Sequence, residues 1–417
     1  MGPSAPSDPL PVSLERVRAA AAALRGRVAR TPLVPAPKLA GLEDHPVYLK
    51  LENLQYTGSF KIRGATVRID ALRNDPTRRG VVAASAGNHA QGVAWAARAA
   101  GLPATIVMPA AAPPVKVSAT AALGATVVLH GTDYAEAESR AQEIARTEGR
   151  VFIHPFDDPD VIAGQGTVGL EILEDLPDVA NVVAGVGGGG LVSGLAVAMQ
   201  AALHRPVRVI GVQPSGASTL AASLERGSIV AGPRPRTFAD GLATRHVGAL
   251  PFAIAQRLGV RAIDVDDRSI ARAIFWLLER AKILAEGAGA AALAGVMARP
   301  DLLLPGPVVV VVSGGNLDPF VLDRVLWVGL VGEGRLLRLS APLADVPGRL
   351  VDFLSIAAEA RANVRQILHE RESPGRDPSS VGVEVELEVR DAAHADEVTA
   401  AYERRGWAVR RVPLEPE

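Results

Sequence analysis

Between Val47 and Val312 the chain alternates two hydrophobic patterns. Short runs of β-branched and small apolar residues, "GVVAAS", "ATIVMP", "ATVVLH", "NVVAGV", "VRVIGV" and "VVVVVS", read as strands. Each is followed by a helical stretch, such as the Ala-rich amphipathic "GNHAQGVAWAARAAG". Buried apolar strands separated by helices predict a parallel α/β architecture covered on both faces. After about Gly332 the order changes. "RLLRLSAPL", a helix from Gly348, "NVRQILH", "VGVEVELEV", a helix near Ala392 and "WAVRRVP" predict β-α-β-β-α-β, a small ferredoxin-like module. The chain therefore divides into residues 1–330 and 331–417, with a Pro- and Ser-rich lead-in to a helix from about Ser13.

Composition narrows the chemistry. With 44 basic and 45 acidic residues, nothing suggests a nucleic-acid footprint. The lack of cysteine removes disulfides, thiolate nucleophiles and thiolate metal ligands. The eight histidines are scattered without ligand spacing, so no metal is expected. No apolar run reaches membrane-spanning length, and the N-terminus lacks the basic-then-apolar order of a signal peptide. The expectation is a soluble, cytoplasmic protein with a small-molecule partner.

"VVAGVGGGGLVSGL", residues 182–195, places a glycine cluster between a strand and a helix start, where main-chain N–H groups and the helix dipole receive a phosphate. Gly185, Gly187 and Gly190 also satisfy G-x-G-x-x-G. A dinucleotide site asks for an acid at the end of the next strand, where Gln213 stands; an amide can still bond a ribose, so NAD is disfavoured and stays open. A triphosphate loop asks for Lys where Leu191 stands. Only five residues are lysines: Lys38, Lys50, Lys61, Lys116 and Lys282. Lys61, in "TGSFKIRGA", lies between Phe60 and small residues, where a planar ligand can approach the backbone. A lysine able to form a Schiff base, together with a separate phosphate cradle, is what pyridoxal 5'-phosphate requires.

"LENLQYTGSFKIRGA", "SAGNHAQG", "AGQGTVGLEI", "GVGGGGL", "ADGLAT", "AEGAGA" and "VVSGGN" occur in this order and resemble the fold type II pyridoxal phosphate enzymes, most closely the threonine dehydratases (threonine ammonia-lyases). "DVPGRL" and "ANVRQILHER" resemble the turn and second strand of an ACT regulatory domain. The resemblance implies a two-lobed catalytic domain, its smaller lobe at roughly 50–155, that converts L-threonine to 2-oxobutanoate and ammonia, with serine as a slower substrate giving pyruvate. It further implies that Lys61 carries the cofactor and, once displaced, is the base at Cα, while Phe60 shapes the ring pocket. Asn88 would bond the ring hydroxyl and Ser313 face the ring nitrogen. Gly187, Gly188, Gly189 and Gly190, with the Leu191 amide, would hold the phosphate, and Gly241 and Glu286 would lie beside the cofactor. Ser85, Ala86, Gly87, Asn88 and His89 would receive the substrate carboxylate; taken alone, Asn88 and His89 read equally as helix-start residues.

Two departures matter. Ala86 stands where serine racemases place a serine, which favours elimination on one face over racemisation, and Gln213 replaces an acid used by cation-binding relatives. In the second unit Asp345, Gly348 and Asn363 are the candidate effector residues, with isoleucine as first choice, and paired ACT domains imply a homo-oligomer, a dimer or tetramer. A serine dehydratase or racemase, or a non-catalytic amino-acid sensor, are the rival functions.

Overall fold

The six apolar runs all become strands of two sheets in the first unit. The computed structural model describes residues 10–72, 79–202, 205–371 and 379–414. One sheet is ordered Thr126–Leu129, Ala104–Met108, Val81–Ala84, Val151–Phe152, all parallel. The other is ordered Leu33–Pro35, Val47–Lys50, Val308–Val311, Asn181–Gly185, Arg208–Pro214, Arg261–Val265. Here only Leu33–Pro35 runs antiparallel to its neighbour. The strands that sequence reading did not single out lack a long apolar signal. Val151–Phe152 has two residues, Leu33–Pro35 ends in proline, and Arg261–Val265 is an outer strand with Arg261 and Asp264 exposed.

Helix packing relates Lys61 to the glycine loop. The helix Pro159–Asp175, which carries "AGQGTVG", touches the helix Lys61–Asp70 on one side and Gly190–Met199 on the other. A Cβ on Gly164 would lie 2.6 Å from Gly64 Cα, and one on Gly194 would lie 2.6 Å from the Gly166 nitrogen. Both crossings therefore need glycine, because only bare backbone approaches so closely.

A buried ion cluster locks the first turn of the Lys61 helix. Arg63 bonds Glu52 through two nitrogens at 2.8 Å and Glu171 at 2.6 Å, and Lys50 donates to Glu171 at 2.6 Å and to the Thr31 carbonyl at 2.7 Å. Burial pushes the Glu52 carboxyl up, but the Arg63 charge and hydrogen bonds more than offset this and hold it below its ordinary value. Removing one partner of such a buried pair costs about 3 to 5 kcal/mol.

The contacts divide the chain into Met1–Pro319 and Phe320–Glu417, so the helix Pro319–Gly332 falls with the second unit, whereas sequence reading placed it in the first. The second unit runs Leu336–Ala344, Arg349–Glu359, Asn363–Glu370, Ser380–Glu388, Ala392–Arg404, Arg410–Arg411, the expected β-α-β-β-α-β order. Its antiparallel sheet is ordered Asn363–Glu370, Ser380–Glu388, Leu336–Ala344, Arg410–Arg411. Val381, Val383, Val385 and Leu387 point into a core closed by Phe353 and Tyr402, whose rings are 4.6 Å apart. The strand Asn363–Glu370 is an edge, exposed along most of its length.

Candidate active site

The polar groups gather at the carboxyl ends of parallel strands: Ser85 follows Val81–Ala84, Gly187 follows Asn181–Gly185, and Ser313 follows Val308–Val311. Lys61 opens its helix, and its amine donates to the Pro155 carbonyl at 2.9 Å, 5.3 Å from the centre of the Phe60 ring. Burial pushes this amine down to about 8, well below the ordinary lysine value, so it loses its proton more readily than a solvated lysine does. The Lys61 segment is strapped to the Ser313 loop by Phe60 N–H to the Ser313 carbonyl at 3.1 Å and Gly315 N–H to the Gly58 carbonyl at 2.9 Å.

Side chains are excluded from the glycine loop by contact. A Cβ on Gly188 would meet the Phe156 ring at 2.2 Å, one on Gly190 the Phe156 Cβ at 3.1 Å, and one on Gly187 the Gly241 carbonyl at 3.0 Å. Gly189 has φ +94°, and the helix Gly190–Met199 starts there without a side-chain cap, with Leu191 buried behind it. The loop thus carries no side chain of its own and lets the Phe156 ring pack directly on its backbone, a candidate amide cradle at a helix start.

A relay of amides crosses the floor. Asn316 donates to the Thr57 carbonyl at 2.9 Å and to Asn88 Oδ1 at 2.7 Å, and Asn88 Nδ2 donates to Glu286 Oε1 at 2.5 Å. One Asn88 amide hydrogen remains for a ligand. Burial, assisted by the Asp240 charge, pushes Glu286 up to about 7. Asp240 in turn pairs with Lys116 from the helix Pro114–Ala122. Ser313 is buried and donates to the Ala288 carbonyl at 3.1 Å, so its single proton must turn away from Ala288 to meet a ring nitrogen.

The substrate candidates separate. Ser85 Oγ accepts from Gly87 N–H at 3.2 Å, and Asn88 and His89 lie in the uncapped first turn of the helix Asn88–Ala100, whose N–H groups lack intrahelical acceptors. Ala86 is half-buried and packs on the smaller sheet's core. The His89 ring faces the other way, with Nε2 donating to the Ile153 carbonyl at 2.9 Å. Burial, reinforced by Lys61, pushes it down to about 3, so only the main chain of His89 is available to a substrate. Gln213 is self-contained, since its amide donates to the Ala217 carbonyl at 3.2 Å and accepts from Thr219 and Leu220 N–H at 3.0 and 2.6 Å.

In the second unit the three effector candidates do not meet. Asp345 bonds Arg371 at 2.8 Å near the Ser380 end of the central strand, with Gly348, φ +88°, opening the next helix. Asn363 pairs with Glu388 at the opposite end, about 27 Å away at roughly 3.4 Å per residue.

These residues fit pyridoxal phosphate: a glycine loop with no side chains of its own at a helix start, a half-buried lysine of reduced basicity, and two hydroxyls, Thr57 Oγ1 and Ser59 Oγ, buried in the segment before Lys61 without a partner. Residues 24–314 match the family model described as pyridoxal-phosphate dependent enzyme. The chain belongs to this family. It is 45% identical to an L-threonine ammonia-lyase of Thermotoga maritima over 96% of this chain and 100% of that protein. Among solved structures, the processed form of threonine deaminase isoform 2 from Solanum lycopersicum superposes with a TM-score of 0.71 at 37% identity, covering 76% of this chain and 93% of that one. Maize serine racemase gives 0.71 at 33% identity over 77% and 98%. Among the described residues no helix is long and apolar enough to cross a membrane.

Sequence reading missed Pro155, Phe156, Asp240 and Asn316. "HPFDDP" offered a signal in its density of turn-forming and polar residues; a main-chain carbonyl such as that of Pro155 leaves none.

Proposed function

We propose that this chain is an L-threonine ammonia-lyase, releasing 2-oxobutanoate and ammonia, with serine as a slower substrate. The observation that carries this is the position of the Lys61 amine, which donates to the Pro155 carbonyl at 2.9 Å and lies 5.3 Å from the centre of the Phe60 ring. Bound pyridoxal phosphate supplies an electron sink that acidifies the Cα–H of the amino acid. Lys61 is then the group that removes the Cα proton. The amides of Gly187 to Leu191 hold the phosphate, and the free Asn88 amide hydrogen orients the ring. Ser313 would face the ring nitrogen with a neutral hydroxyl, which could not hold a proton there as a carboxylate does, and this would favour prompt loss of the β-hydroxyl over transamination. The uncapped helix start at Asn88 receives the substrate carboxylate. Once the hydroxyl has left as water, the released enamine takes water back and yields keto acid and ammonia.

Ala86 supports elimination over racemisation, since no hydroxyl stands there to move a proton on the second face. The second unit, read as an ACT-like domain, would bind a small amino acid, isoleucine first. Its strands Leu336–Ala344 and Asn363–Glu370 are both antiparallel to Ser380–Glu388 and hence parallel to each other. Antiparallel pairing of the edge Asn363–Glu370 with a second copy would bring Asn363 of that copy to the end that holds Asp345 and Gly348, which makes the site a property of a homo-oligomer. The deciding experiment is Lys61→Ala: turnover of threonine should fall at least about a thousandfold and the borohydride-reducible visible band should vanish, while far-UV circular dichroism is unchanged. Near-normal activity in this variant would end the assignment.

A further inference from the structure

The segment between the short strand Val151–Phe152 and the helix Pro159–Asp175 touches both Lys61 and the glycine loop. Lys61 donates to the Pro155 carbonyl at 2.9 Å. The Phe156 ring walls Gly188 and Gly190. Asp157 accepts the Ala249 and Leu250 N–H groups at 3.0 and 2.8 Å, beside Gly248, whose N–H bonds the Gly188 carbonyl at 3.0 Å. Asp158 caps its own helix and pairs with Arg68 of the Lys61 helix at 2.9 Å.

Two histidines hold this segment by opposite means. His89 donates from Nε2 to the Ile153 carbonyl. His154 accepts on Nδ1 the N–H groups of Phe156 at 3.3 Å and Asp157 at 2.8 Å, with its ring edge-on to Phe156 at 4.7 Å. Main-chain N–H groups can only donate, so His154 Nδ1 carries no proton and the ring is the neutral Nε2–H form. Burial also favours the neutral ring.

We infer that His154 is a positioning residue for Lys61: its bare Nδ1 closes the turn that aims the Pro155 carbonyl at the amine and the Phe156 ring at the glycine loop. This rests on Lys61 being the working amine. It commits the side chain to an acceptor at one place, which Asn reproduces because its Oδ1 lies where Nδ1 does, and which Gln misses because its oxygen reaches the Nε2 position.

The test takes the full chain, freed of cofactor and mixed with pyridoxal 5'-phosphate, and follows the rise of visible absorbance alongside kcat and KM for threonine. His154→Leu and His154→Gln should bind cofactor and turn over about tenfold more slowly or worse, with KM changed by less than about threefold, and His154→Asn should recover most of both rates. Wild-type rates in His154→Leu, or equal rates in the Asn and Gln variants, overturn the inference. If His154→Leu does not fold, the Asn and Gln pair decides alone. Lys61→Ala in parallel separates the two claims: an unchanged reducible band there removes the lysine assignment and this inference with it. A lost band with equal Asn and Gln variants removes only the role of His154.

Discussion

In Met1–Pro319 polar groups far apart in sequence come into bonding distance, as Asn88 does with Glu286 across 198 positions and with Asn316 across 228. In Phe320–Glu417 Asp345 and Asn363 are separated by one helix, yet they stand at opposite ends of a sheet. Topology accounts for the contrast. Each strand of a parallel sheet delivers its carboxyl end to the same edge, so loops from any of them can meet. In the β-α-β-β-α-β unit the first two strands also run parallel, so the end of one and the start of the next lie at opposite edges. The candidate residues of the first unit therefore meet within one chain, whereas Asp345 and Asn363 of one chain do not.

The contrast breaks most readily at the glycine loop. Gly188→Ala drives a methyl group into the Phe156 ring, and overpacking of about 1 to 3 kcal/mol should loosen the cofactor roughly ten- to hundredfold. Equilibrium titration with pyridoxal phosphate checks this, and unchanged affinity would show that the loop is not the cradle. The second unit should fold normally in that variant.

Acid tests the same unit through His89. Unfolded, its imidazole takes a proton near its ordinary value of 6.5; folded, it resists until about 3. Between these values the unfolded state binds more protons, so this contribution to stability is present above pH 6.5 and is lost as pH falls. The slope amounts to at most about 1.4 kcal/mol per pH unit. His89→Gln keeps a donor for the Ile153 carbonyl and does not titrate, so its stability between pH 7 and 4 should fall less steeply than that of wild type. Parallel denaturation profiles would count against the buried neutral ring.

The smallest effect sharpens the comparison from the other side. Asp345→Ala and Asn363→Ala should each remove the kinetic response to isoleucine, a several-fold effect if coupling is the usual 1 to 3 kcal/mol or so, and leave basal turnover intact. Chains of the two variants unfolded together and refolded as mixed oligomers should regain part of the response, because one intact site forms between unlike chains. No recovery in mixtures would mean that the site does not span two copies.

Much of the fold and the heart of the candidate site were legible, for local reasons. Runs such as "VVVVVS" can be buried only as central strands, and "GVGGGGL" admits main-chain approach at any packing. Lys61 stood out because lysine is scarce here and its neighbours are small or aromatic. His89 was harder: a histidine at a helix start looks the same whether its ring faces a ligand or the Ile153 carbonyl. Asn363 was read from the resemblance to paired ACT domains, and no local pattern shows that strand direction places it at the opposite end of the sheet from Asp345.

The sequence by itself determined the order of elements in both units and marked the glycine loop and Lys61 as candidates, because hydrophobic period and glycine are properties of a few consecutive residues. Only the tertiary structure decided which carbonyl holds Lys61, which way His89 and His154 face, and that Glu286 is raised to about 7. Those outcomes depend on desolvation and on partners supplied by distant segments. A buried polar group takes whichever partner the packing of the whole domain leaves within reach, and that choice is written in no single stretch of chain.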